Sequence, residues 1–226
     1  MARLRRLEWP GQAHYVIQRG HGALSARGVF ADAIDRSNFL AALSDAARAE
    51  AVQLHAYALL PHELHLLVTP TAPGALGRLM QALGRRYVSA YNRRHGHRGS
   101  VWEGRFRCAV VQPGATRLAA LQLVDGQSTE AGWTSGGQRT GGNRDPVLID
   151  PPEWWALGNT PFEREAAYRG RLMQGLPATQ ALALRQAALG GWAAGSAMFA
   201  AQVAEATARP AEPRARGRPR RIECAA

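Results

Sequence analysis

The stretch Pro61-His62-Glu63-Leu64-His65-Leu66-Leu67-Val68 sets a carboxylate and an imidazole at alternate positions of an otherwise apolar run. Side chains of an extended strand alternate between faces, so Glu63 and His65 point together while His62 and Leu64 point to the opposite side. Two ligating groups so placed can bite a divalent ion, imidazole suiting Mn or Zn and carboxylate suiting Mg or Mn. The same pair also suits a solvated or hydrogen-bonded polar face, and spacing alone leaves both readings open.

A second chemistry is written in charge. The 226 residues carry 28 basic against 17 acidic side chains, a formal net charge of +11, and every basic residue is arginine. A polyanionic partner is the simplest reading of that excess, and guanidinium gives phosphate planar, bidentate contacts that an ammonium cannot. Arg85, Arg86, Arg93, Arg94, Arg98, Arg105 and Arg107, with His95 and His97, crowd one stretch of the chain. Such a cluster supplies affinity without reading sequence; its alternative is a solvated helix face. Trp102 and Phe106 lie among these arginines, where an aromatic ring either stacks an unpaired base or joins the core. Near the end, Arg216-Gly217-Arg218-Pro219-Arg220-Arg221 looks like an AT-hook, a narrow backbone whose arginines enter an A·T-rich minor groove.

These groups need a scaffold, and the apolar pattern predicts one. Residues 14–20 alternate as a strand, and 52–60 and 64–70 read as an antiparallel pair separated by Pro61, which cannot donate to a ladder. Between them, Phe39, Leu40, Leu43, Ala46 and Ala47 recur at helical spacing, with Ser37 and Asn38 near the expected cap. Residues 74–96 form a second helix with Leu76, Leu79, Met80, Leu83, Tyr87 and Tyr91 along one face. The spacing of four between the two tyrosines argues for core packing. A strand at 105–112 and a helix at 115–124 complete an α+β, ferredoxin-like βαββαβ(α) core with an antiparallel sheet, over residues 1–125.

Beyond it, residues 126–150 are rich in Gly, Ser and Thr and read as a flexible linker. A helical C-terminal region spans 151–208, with helices at 161–176 and 198–208, and an Arg- and Pro-rich tail at 209–226 reads as disordered until bound. Cys108 and Cys224 have neither metal spacing nor the density of a disulfide scaffold. No apolar run approaches the roughly 20 residues needed to span a bilayer, and the first residues lack the apolar stretch of a signal peptide. A cytoplasmic, nucleoid-associated protein with no membrane partner is expected.

Several segments, in order, then carry a resemblance: AHYVIQRG, LHAYALLPHELHLLVTP, GRLMQALGRRYVSAYNRRHG, SVWEGRFRC, WWALGNTPFEREAAYR and the closing GRPRR. Together they resemble the bacterial REP-associated tyrosine transposases, mobile-element enzymes of the HUH superfamily that cut and rejoin single-stranded DNA. The resemblance implies a ferredoxin-like fold whose central strand presents two histidines flanking an apolar residue. Those histidines hold Mg or Mn, which polarises the scissile phosphate. A tyrosine on a following helix attacks, forming a 5′-phosphotyrosine link that keeps the bond energy for rejoining. DNA, as single-stranded hairpin repeats, is the implied partner, and a homodimer is left open.

Two positions depart from that pattern. His65 matches one family histidine, Glu63 stands where the other should be, and His62 is displaced by one residue. Glu63 can still ligate Mg through oxygen, and the resemblance adds Gln127 as a third metal contact. The family tyrosine falls on Leu123, and no tyrosine occurs between Tyr91 and Tyr168. Leucine is no nucleophile. The expectation is a transposase-like DNA-binding protein that has lost strand transfer. Its alternatives are a metal-dependent endonuclease using Glu63 and His65, and a basic RNA-binding protein.

Overall fold

The computed structural model describes residues 5–24, 26–127 and 133–213. Its centre is β1 (Ala13–Arg19), whose residues are buried on both faces up to Gln18. It pairs antiparallel with β3 (Glu63–Pro70) on one side and β4 (Arg107–Val111) on the other. β2 (Val52–Leu59) lies antiparallel outside β3, and the two-residue β5 (Ala193–Ala194) lies parallel outside β4, giving the order β2-β3-β1-β4-β5. Alternation divides the strands' side chains between two cores. Val16, Leu54, Leu64, Leu66 and Val68 face one; Tyr15, Ile17, Ala58, Leu67 and Val111 face the other.

The first core is roofed by α1 (Ala33–Ala49) and α2 (Ala75–His95). Asp32 caps α1, accepting from the Asp35 amide at 3.0 Å, so the helix starts ahead of the expected Ser37 and Asn38. An aspartate that satisfies an otherwise orphan amide decides the start more strongly than the polar residues behind it. α2 buries the expected stripe, Leu76, Leu79, Leu83, Tyr87 and Tyr91, and stops at Gly96 in the left-handed region with φ 61°. Its last turn carries Arg93, Arg94 and His95, the charge a helix C-terminus favours. Tyr87 and Tyr91 are core residues, and their hydroxyls donate to the carbonyls of Val29 and Gly28. Gly28 has φ +82°, and a Cβ there would stand 2.5 Å from the Pro61 carbonyl oxygen. Only glycine lets this loop press on the turn that precedes Glu63.

The second core is covered by α3 (Ala115–Asp125), the short α4 (Pro152–Trp155), α5 (Pro161–Gln174) and α6 (Ala178–Gly190). A capping box of Thr160 and Glu163, followed by Pro161, starts α5. α7 (Ala197–Thr207) packs Phe199, Ala200 and Val203 with Leu7 and Val110 at the β4 edge.

The segment read as a flexible linker folds, from residue 133 onward, as a strap along β2. Thr134 bridges Ala58, Leu148 bridges Leu54, and the Ile149 amide donates to the Leu54 carbonyl at 2.8 Å. This covers an edge strand whose polar backbone would otherwise be exposed. Arg139, fully buried in a 3-10 turn (Ser135–Thr140), anchors the strap. It lies 2.8 Å from both Asp125 and Asp150 and donates to the His55 carbonyl at 2.5 Å. Tyr168 on α5 donates to Asp125 at 2.7 Å, so the tyrosine of the REAAYR segment is a fastening between helices.

Candidate functional site

Strand register builds a closed polar cluster at the start of β3. Arg19 on β1 is the direct cross-strand partner of Glu63, and its Nε lies 3.1 Å from Glu63 Oε1. Glu63 and His65 share a face, as alternation requires, and His65 Nε2 lies 3.1 Å from Glu63 Oε2. Tyr15, whose direct partner is Leu67, reaches diagonally to His65, its hydroxyl 2.8 Å from Nδ1. Arg185 of α6 closes the cluster from above, with Nη2 3.0 Å from Glu63 Oε2. His62 sits exposed in the turn between β2 and β3, outside the cluster.

One protonation pattern satisfies these bonds. A neutral His65 donates from Nε2 to Glu63 and accepts the Tyr15 hydroxyl at Nδ1. Burial lowers the His65 pKa and so favours that neutral form. The hydrogen bond from His65, with a further one from Arg185, draws the Glu63 pKa down to about 2, so the carboxylate is ionised. Burial raises the Tyr15 pKa, keeping the phenol protonated.

As arranged, these donors do not fit Mg or Mn. Both His65 nitrogens have protein partners, Glu63 is shared by two guanidiniums and the imidazole, and a divalent cation would meet the repulsion of Arg19 and Arg185. The Gln127 amide donates instead to the Leu123 carbonyl at the end of its own helix, at 3.1 Å. Among the described residues no group of three or more His, Cys, Asp or Glu side chains is placed to hold a metal ion. Leu123, where the resemblance implies a tyrosine, packs half-buried against the second core.

Those of the arginines proposed for nucleic acid that lie among the described residues are all exposed, but they fall into two groups. Arg85, Arg86, Arg93, Arg94 and Arg98 follow the second half of α2 and its turn. Arg105 shares a cavity wall with Leu76 and Gly77 near the start of that helix, at the opposite end from Arg93. Arg107 opens β4 beside Arg105.

Two members of the first group have structural partners. Arg86 pairs with Asp45 at 2.7 Å, and Arg94 chelates Asp32 and Asp35 at 2.5 Å each. His95 joins them, 2.9 Å from Asp35 with its ring 4.4 Å from that of Tyr91. Arg85, Arg93, Arg98, Arg105 and Arg107 have no carboxylate partner among the described residues. Trp102 and Phe106 are buried, Trp102 against Phe30, Phe39 and Tyr87, and Phe106 beneath the Arg6 guanidinium at 3.8 Å. Neither presents a free face to a base. Arg216, Arg218, Arg220 and Arg221 lie outside the described residues, as does Cys224.

Arg5, Arg6, Arg19, Arg185 and Arg209 escaped the sequence reading. The register partner of Glu63 would have revealed Arg19, once β1 and β3 were paired; nothing local marks the others.

No protein-family model and no curated protein matches the sequence. Among solved structures, a REP-associated tyrosine transposase bound to a REP hairpin matches with a TM-score of 0.52 at 12% identity, over 68% of this chain and 93% of that one. The chain shares the mixed α/β fold of that transposase. A second match, from Deinococcus radiodurans R1 and described as a transposase, has a TM-score of 0.36 at 23% identity over 50% of this chain and 88% of that one, too low to add to the fold assignment. No helix among the described residues is long and apolar enough to cross a membrane.

Proposed function

We infer that the protein is a transposase-like DNA-binding protein that holds hairpin-forming single strands without cutting them through tyrosine. The observation that carries the reading is the set of exposed arginines with no carboxylate partner, on a chain of net charge +11. Guanidiniums left free of internal partners are available to phosphate. The shared fold, and the REP hairpin on which that neighbour was solved, support a DNA hairpin as the ligand.

The tyrosines support the loss of strand transfer. All five, Tyr15, Tyr57, Tyr87, Tyr91 and Tyr168, are buried. A phenol that cannot meet a strand cannot form a phosphotyrosine link. Tyr15 sits beside an imidazole, as an activated nucleophile would, yet it is 0% exposed and its raised pKa keeps the proton in place. The endonuclease alternative with Glu63 and His65 holding Mg or Mn requires Arg19 and Arg185 to leave the carboxylate.

The test is incubation of the purified protein with Mg or Mn and labelled single-stranded hairpins from its own genomic flanks, on a denaturing gel beside a binding titration. Salt-dependent binding with intact DNA is expected. A covalent protein–DNA band would overturn the reading, shortened DNA without one would favour metal-assisted hydrolysis, and preference for RNA hairpins would favour the RNA-binding alternative.

A further inference from the structure

Five arginines converge at the edge of the sheet where β4 begins. Arg5 and Arg6 from the N-terminal segment, Arg105 and Arg107 from the entry to β4, and Arg209 just past α7 line a cavity of about 290 Å³, with Glu103 its one carboxylate among the described residues. None of the five reaches a carboxylate within ion-pairing distance among the described residues. The contrast with Arg94, Arg139 and Arg185, each held by at least one carboxylate, is sharp. Burial lowers the Arg6 pKa and the charges of Arg105 and Arg107 push the same way, while Cys108 and Glu8 offset part of that effect.

Arg209 adds an independent sign. Its Nε and Nη1 are buried without a hydrogen-bond partner among the described residues. Buried donors are normally paired, so two on one guanidinium call for a missing acceptor. The Arg209 guanidinium is steadied by the Trp192 ring, 5.4 Å from its centroid. Trp192 in turn closes on Gly190, where a Cβ would stand 2.3 Å from the indole nitrogen, and Gly191 turns the chain with φ +72°. Across the cleft, Arg6 lies 3.8 Å over the Phe106 ring and donates from Nε to the Phe106 carbonyl at 3.4 Å, which leaves its terminal N–H groups to meet an anion. The volume is at the lower end for a small-molecule site and suits a phosphate with its sugar.

We propose that this cleft is a phosphate-binding pocket that takes a phosphate ester of a nucleotide through Arg6, Arg107 and Arg209. The ester comes either from the backbone of a bound strand, which rests on the nucleic-acid reading above, or from a free nucleotide.

The test uses the full chain in two assays: the rise of Tm with AMP at constant ionic strength, and the affinity for a labelled single-stranded hairpin. The variants are Arg209→Gln and, because Arg209 is partly buried, the exposed Arg107→Gln, with Arg48→Gln on α1 as a control for lost charge. The wild type and the control should show a saturable AMP-dependent rise that both pocket variants lose. Should the strand supply the phosphate, hairpin Kd also rises about tenfold in both variants and its salt dependence becomes shallower. Unchanged hairpin affinity with a lost AMP response assigns the pocket to free nucleotides. A wild type that binds no hairpin but keeps an Arg209-dependent AMP response retains the pocket and removes the nucleic-acid reading. No AMP response in the wild type, or one that both variants retain, overturns the pocket, and leaves the nucleic-acid reading standing if the hairpin still binds.

Discussion

The Arg185 guanidinium lies 3.0 Å from the Glu63 carboxylate, so a helix of the C-terminal region supplies positive charge where the family resemblance implies a metal ion. Arg19 supplies a second from the neighbouring strand. A carboxylate flanked by two guanidiniums is already compensated. Mn titration followed by electron paramagnetic resonance should show no binding that depends on His65 in the wild type. The double variant Arg19→Gln with Arg185→Gln should gain such binding, and adding His65→Ala should remove it. Wild-type Mn binding abolished by His65→Ala would show that the arginines yield to the metal, and would restore the endonuclease alternative.

Neighbouring arginines on α2 should behave differently. Arg93 is exposed and has no carboxylate partner among the described residues, whereas Arg94 bridges Asp32 and the buried Asp35. Arg93→Gln should leave Tm unchanged while weakening hairpin binding and reducing the salt slope by about one. Arg94→Gln removes a partner from a buried carboxylate that retains His95, and should lower Tm. Equal stability losses in the two variants would show that their different environments do not matter.

Tyr15→Phe separates a structural tyrosine from a chemical one. The hydroxyl donates to buried His65, and its loss should cost about 1–2 kcal/mol by urea denaturation. Hairpin binding should be unaffected. If the wild type formed a DNA adduct that Tyr15→Phe abolished, burial would have failed as an argument against this nucleophile.

What the sequence made legible follows from how local each cause is. β1 to β4 and α1 to α3 declare themselves through alternation and apolar stripes, and Tyr87 and Tyr91 fall where their spacing puts them. The strap was misread because Gly, Ser and Thr ordinarily signal a loop. Its burial depends on one arginine, whose partners Asp125 and Asp150 lie on either side of it in the chain. α6 went unread because alanine around much of its circumference blurs the stripe that Leu184 and Ala188 bury. Glu63 and His65 do share a face, but the residue that closes their cluster, Arg185, lies 122 positions from Glu63. Tertiary partners at that range leave no periodic trace.

Two histidines outside the cluster make acid stability testable. Burial holds His14 and His55 at about 4, against an ordinary value of 6.5. Each has one nitrogen facing a carbonyl oxygen, of Gln12 for His14 and of Ile149 for His55, and so must donate there. The other nitrogen accepts, from the Trp9 amide for His14 and from the Thr69 hydroxyl for His55. Protonation would turn the His14 acceptor into a donor facing the Trp9 amide donor, whereas the Thr69 hydroxyl can turn to accept, so that burial alone disfavours the His55 cation. Since the folded pKa is depressed, the unfolded chain binds more protons below pH 6.5. The stability is therefore full above that pH and is lost as pH falls toward 4, by up to about 3 kcal/mol per histidine. Urea denaturation should show this decline from pH 6.5 to 4, and His14→Gln, lacking a titrating group, should decline less steeply. A variant as steep as the wild type would mean that His14 is not the proton acceptor that matters.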